Sequence, residues 1–277
     1  MGSRARIVVY AEQEPLEAIR RAFEVIDSHE RTLCDYDPAS EAMVLCQKVP
    51  QRWHSVSPTL IAAIRVSRKA WQASDGAFDV TIGAVSAVWR EANKRGVPPT
   101  AEQLARSQDR VGMNLLELDA ERGRVRLAKA GMTLDFGGIG KGLAADAALV
   151  SLRSDGINEA LVEIGGDLVV GDAPPGQDGW LVRVVSSAID GRPLILARQA
   201  AATSGDAFRF IEIDGVQRSH ILQPRSGLPA PAGGAGTVVA SSGWGADAIA
   251  TVARLSVPEA ARSMARSLGG AEVIEQS

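Results

Sequence analysis

The chain has two cysteines in 277 residues, Cys34 and Cys46, and they do not form a CxxC pair. Its three histidines, His29, His54 and His220, are equally dispersed, so the spacing encodes neither a disulfide framework nor a zinc cluster. No run approaches eighteen consecutive apolar residues. The first thirty residues hold Arg4, Arg6, Glu12, Glu14 and Glu17 with no apolar leader segment among them. As it stands the sequence is expected to be cytoplasmic, or periplasmic or membrane-anchored if a leader has been removed. A cationic surplus is also missing: 30 Lys and Arg face 33 Asp and Glu, and the basic residues are scattered, which excludes nucleic acid as a partner. A substrate with several phosphates would therefore need a metal to screen it.

What is present is the profile of an ordinary folded domain, 45% hydrophobic and 23% charged, long enough to bury a core without staples. Arg6 to Tyr10 reads as a strand. It leads into a helix over Pro15 to Leu33, with Leu16, Ile19, Phe23 and Ile26 at helical intervals. Ser57-Pro58 supplies a cap and a first-turn proline for a second helix ending near Ser74-Asp75-Gly76. Glu91 to Ser107, with Pro98-Pro99, reads as a polar, lid-like connection. A third helix spans Lys141 to Ser154 and closes at Gly156.

Beyond it, short strand-like runs recur at 160–164, 168–170, 180–185, 193–197, 208–213 and 237–240, and helical spacing returns at 245–255 and 258–268. Strands and helices come in runs, which points to α+β rather than a doubly wound sheet. The five tryptophans, at 53, 71, 89, 180 and 244, follow no regular stripe and read as core or edge residues.

Four segments can carry chemistry. In Thr133 to Asp146 (TLDFGGIGKGLAAD) an expected strand ends in four glycines around Lys141 before a helix begins. Glycines admit a phosphate close to the backbone, and helix amides with Lys141 add positive potential; the plain alternative is a strand-to-helix turn with a solvated lysine. The P-loop pattern and the dinucleotide fingerprint are both missing. Asp247 and Thr251 fall four apart in GADAIAT, which puts two hard oxygen ligands on one helix face, as magnesium accepts; the alternative is a routine exposed face. His220, in SHILQPRSG, either orients or protonates a phosphate oxygen or bonds its own turn. The segment SDGAFD, with Asp75, Phe78 and Asp79, either meets a ligand or closes the preceding helix.

In order, the segments MGSRARIVVY, LCDYDPASE, SDGAFDVTIG, LDFGGIGKGLAAD, ALVEIGGDLVVG, ATSGDAFR, SHILQPRSG and ADAIAT resemble the FAD:protein FMN transferase (ApbE-like) family over nearly the whole chain. The resemblance implies a single domain over 1–277, α+β and T-fold-related, with FAD between two lobes and a helical lid-like section around 85–110. It implies magnesium-dependent transfer of FMN from FAD to a Ser or Thr of an acceptor protein, with release of AMP. Gly138 through its carbonyl, Asp247 and Thr251 match the metal-holding positions. Met1, Tyr36, Ala77, Phe78, Asp79, Asp135, Lys141 and Ile221 match positions that contact FAD. His220 matches the family's candidate catalytic histidine, and either it or Asp247 would take the proton of the acceptor hydroxyl. Cys46 stands where relatives usually have Asn, Gln223 where they have Asp, and Cys34 where a Ser is frequent. Two further readings accompany transfer: a magnesium-dependent FAD pyrophosphatase and an FAD-binding protein without turnover.

Overall fold

A computed structural model describes residues 3–11, 14–183, 193–206, 210–231, 235–255, 258–268 and 272–276. The strand β1 (Ala5–Val9) enters α1 (Leu16–Leu33), whose buried face carries Ala18, Ala22, Ile26 and Leu33. The short helix α2 (Glu41–Cys46) follows, started by Ser40, whose hydroxyl accepts the Met43 amide. After β2 (His54–Ser55), α3 (Pro58–Ala73) begins where the sequence places it, with Ser57 accepting the Leu60 amide and Pro58 in the first turn. Next come α4 (Gly83–Arg95), α5 (Ala101–Gln108) and the hairpin of β3 (Leu116–Asp119) and β4 (Arg124–Leu127).

The second half is α6 (Gly140–Ser154), β5 (Ala160–Ile164), β6 (Asp167–Val170), β7 (Trp180–Val182), β8 (Leu194–Leu196), β9 (Ala200–Gly205), β10 (Phe210–Ile213), β11 (Val216–Ser219), β12 (Ala235–Ala240), α7 (Gly243–Leu255), α8 (Pro258–Ser267) and β13 (Glu272–Gln276). Among the described residues a six-stranded antiparallel sheet runs in the order β1-β5-β6-β9-β12-β13. Helices α1, α6 and α7 pack with it into the main core, centred on residues such as Leu134, Ile139, Leu152, Val162 and Ile249. A separate small core joins α4 to the β10–β11 hairpin through Val85, Trp89, Ile211, Ile213 and Leu222. A third cluster, of Leu161, Val170, Trp180, Val182, Leu196, Ala201 and Val239, packs elsewhere, and the α+β expectation holds.

Within the section around 85–110, α4 runs to Arg95 and α5 starts at Ala101. Thr100 and Gln103 form a reciprocal capping box, and Pro98-Pro99 lie between the helices. One expectation is corrected: no strand precedes the glycines. Thr133 makes only an isolated bridge to Ile82, and the Asp135 side chain turns back to accept the Gly137 amide at 2.9 Å, which ends any ladder. The expected strand over 180–185 extends to Val182 within the described residues, and 184–192 lie outside them.

Candidate active site

A cavity of about 770 Å³ lies between the two cores. Its walls include Tyr36, Ala77, Phe78, Asp79, Asp135, Gly138, Lys141, His220, Ile221, Asp247 and Thr251, so the structure gathers all but one of the expected site residues into one space. The exception, Met1, lies outside the described residues. Ser3, two positions on, lines the cavity.

One end is built by α6 and α7. Their backbones touch: a Cβ on Gly142 would stand 2.1 Å from the Gly243 carbonyl oxygen, and one on Gly243 would stand 2.5 Å from that of Gly142. Only glycine fits at either position. Each helix then caps the other. Asp247, from α7, accepts the Gly142 amide in the first turn of α6 at 3.2 Å. Asp146, from α6, accepts the Gly243 and Trp244 amides at the start of α7 at 2.7 and 3.0 Å. Orphan amides and the positive end of each helix dipole are satisfied by a partner's carboxylate, at about 1 kcal/mol per cap. Burial pushes the Asp146 carboxyl up to about 6, against the pull of those two amides.

This geometry changes the role of the glycine-rich segment. Part of the positive potential expected to cradle a phosphate is answered by Asp247, which is only 2% exposed. The Lys141 ammonium is likewise engaged, 2.9 Å from Asp167 Oδ2, 3.2 Å from Asp247 Oδ1 and 3.3 Å from the Gly137 carbonyl. Burial alone would lower its pKa, but Asp247 and Asp167 together raise it, so it stays charged. For Asp247, burial and the neighbouring Asp167 raise the carboxyl while Lys141 and the Gly142 amide oppose them.

The Asp247 and Thr251 pair shares one face of α7, as the spacing requires, with the Thr251 hydroxyl donating to the Asp247 carbonyl at 3.1 Å. Gly138 abuts Thr251 so closely that a Cβ there would fall 2.7 Å from Thr251 Oγ1. Among the described residues no group of three or more His, Cys, Asp or Glu side chains gathers to hold a metal. Any cation here must draw on a carboxylate, a hydroxyl and a backbone carbonyl, which is the donor set of a hard ion. The residues present fit magnesium.

The other end carries rings and long side chains. Tyr36 is 67% exposed, and the Arg90 guanidinium lies 4.1 Å from its ring centroid. Arg90 also pairs with Asp35 and, at 3.2 Å, with Asp135, which accepts the Ser86 hydroxyl at 2.7 Å. Burial, reinforced by Asp135 and opposed by Arg90, pushes the Asp35 carboxyl up to about 6. Asp79 spends both oxygens internally: one accepts the Thr81 amide and hydroxyl, the other the Met113 amide at 3.0 Å. Its carboxylate braces the turn, and burial raises it above the usual range.

His220 follows β11. Its Nδ1 lies 3.5 Å from Asp206 Oδ1, and Asp206 is held by the Ser219 hydroxyl at 2.6 Å and by Arg254 of α7. Of the three positions that depart from the family pattern, Cys34 lines the cavity, and Cys46 and Gln223 serve structure. Cys46 packs against the main core, and burial pushes its thiol up to about 11. Gln223 accepts the Ser226 hydroxyl and pairs its backbone with Leu228 and Gly227 across a turn.

The profile of the ApbE family matches residues 1–274. The chain belongs to the ApbE family. A relative named FAD:protein FMN transferase, from Klebsiella pneumoniae (strain 342), is 30% identical over 235 residues, covering 83% of this chain and 71% of its own length. Among solved structures, the ApbE protein from Thermotoga maritima is similar with a TM-score of 0.84 at 27% identity, over 96% of this chain and 87% of that one. A mutant form of the flavin transferase ApbE from Vibrio cholerae shares the fold with a TM-score of 0.83 at 24% identity, over the same shares of both chains. This ApbE-family member thus carries its relatives' α+β fold.

Sequence reasoning missed Asp35, Arg90, Asp146, Asp167, Asp206 and Arg254. Asp167 had a signal: two consecutive glycines with positive φ, Gly165 and Gly166, set it at the mouth of β6. The others meet their partners only through tertiary contacts.

Proposed function

We propose that this protein transfers the FMN half of FAD to a Ser or Thr hydroxyl of an acceptor protein, with magnesium, releasing AMP. The observation that carries the reading is the meeting of Gly138, Asp247 and Thr251 at one end of a cavity whose other end presents Tyr36 and Arg90. One end suits a pyrophosphate and the other a planar ring. The names of the relatives point the same way.

The Gly138 carbonyl, the Asp247 carboxylate and the Thr251 hydroxyl would hold the ion. When bound, a divalent cation supplies charge that screens the phosphate oxygens from an incoming hydroxyl and stabilises the leaving AMP. The chain's own residues do the rest by positioning. Phe78 and Gly138 pack together beneath the cradle, and Tyr36 offers an open face for stacking. The acceptor oxygen bonds to the FMN phosphorus, the phosphoanhydride bond breaks with its electron pair leaving on AMP, and the hydroxyl proton goes to a base. Asp247 is engaged by Lys141 and the Gly142 amide, which favours His220, oriented by Asp206, as that base.

The test is incubation with FAD, magnesium and an acceptor domain containing a candidate threonine. The expected result is an acceptor heavier by one FMN residue, with AMP released. Free FMN and AMP with an unmodified acceptor would instead identify a pyrophosphatase, and unchanged FAD a binding protein.

A further inference from the structure

Asp167 has no role in the reading above, yet it is buried beside the cradle. It is 4% exposed at the first position of β6, and its Oδ1 accepts the Thr203 amide of β9 at 3.2 Å. Its Oδ2 faces Lys141 Nζ at 2.9 Å. Lys141 therefore stands between two buried carboxylates, Asp167 and Asp247, and it also reaches the Gly137 carbonyl at 3.3 Å. A lone lysine against Asp247 would neutralise the carboxylate that a cation needs. With a second carboxylate drawing on the same ammonium, the trio of Asp167, Lys141 and Asp247 carries one negative charge in excess.

We propose that Asp167 is a positioning residue of the cation site: by holding Lys141 from the side opposite Asp247 it leaves the trio with the net negative charge that attracts a divalent cation. This rests on the magnesium reading above and adds a residue to it. Lys141 becomes a spacer between two acids as much as a phosphate contact. Asp167 acts through Lys141, on the net charge of the site rather than on the ion itself.

The charge arithmetic makes the test specific. Asp167→Asn keeps an oxygen for the Thr203 amide but makes the trio neutral. Lys141→Gln leaves two negative charges, and the double variant Lys141→Gln/Asp167→Asn returns to one, as in the native protein. Binding of Mn²⁺, without FAD, is measured at pH 8 by calorimetry and by electron paramagnetic resonance, with circular dichroism confirming the fold of each variant. Asp167→Asn should raise the dissociation constant on the order of tenfold, as expected for a unit charge lost a few ångströms from a partly shielded ion. Lys141→Gln should bind at least as tightly as the native protein, and the double variant within about threefold of it. An unchanged constant in Asp167→Asn, or a double variant as weak as Asp167→Asn, overturns the inference and assigns Asp167 to bracing β6 against β9. Should Asp167→Asn fail to fold, Lys141→Gln decides alone, weaker binding overturning the inference. If the native protein binds no Mn²⁺, the cation site itself falls, an outcome distinct from native binding that Asp167→Asn leaves unchanged.

Discussion

The two ends of the cavity are built in opposite ways. At the α6–α7 end the parts are backbone and short, buried side chains: Gly142 against Gly243, Asp247 capping α6, Asp146 capping α7. At the Tyr36 end the parts are long and open, with Arg90 spread between an exposed ring and two carboxylates. Charge developing on a phosphate needs donors and acceptors fixed to fractions of an ångström, whereas a flat ring tolerates slack. The comparison teaches where a substitution should be felt in rate and where only in affinity.

Asp247→Asn keeps an acceptor for the Gly142 amide and should lower turnover roughly a thousandfold while the melting temperature holds within a few degrees. Activity within tenfold of the native protein would break the comparison at its stronger end. Gly142→Ala forces a methyl into the Gly243 carbonyl and should cost about 3 kcal/mol or more in urea unfolding. Asp146→Ala removes the acceptor of two α7 amides, for a loss of about 1–2 kcal/mol by the same measurement. Native-like midpoints in both would mean the helix pair is not what fixes the cradle. At the open end, Tyr36→Ala should weaken FAD binding only about three- to tenfold, read by fluorescence titration, with turnover at saturation little changed. A collapse in turnover would put the two ends on equal terms.

The smallest effect concerns acidity. Because the Asp35 carboxyl is raised from 3.8 to about 6, its favourable contribution to stability is complete below pH 3.8 and is lost as pH rises through 6. The melting temperature of Asp35→Asn should accordingly fall less than that of the native protein between pH 4 and pH 6. Parallel curves would show that Arg90 already compensates the charge.

Much of this was legible in the sequence, where local signals are strong. Ser57-Pro58 marked α3, Gly156 closed α6, and the four-residue spacing of Asp247 and Thr251 placed both on one face of α7. The family pattern brought the cavity residues together in advance. A helical section around 85–110 came only from the family resemblance; read from the residues alone, Pro98-Pro99 dominated a polar stretch, although Thr100 and Gln103 spelled a capping box. The reciprocal caps, the Lys141 trio and the Arg90 cluster join residues 26 to 106 positions apart, and no periodicity encodes such meetings.

The contact between Gly142 and Gly243 also restricts how the molecule can move. Two main chains pressed together, each locked at its start by an acid from the other, leave no hinge between α6 and α7. A cleft that opens to admit a bulky visitor would do so at the facing wall, where α4 and the β10–β11 hairpin rest on a small core of their own.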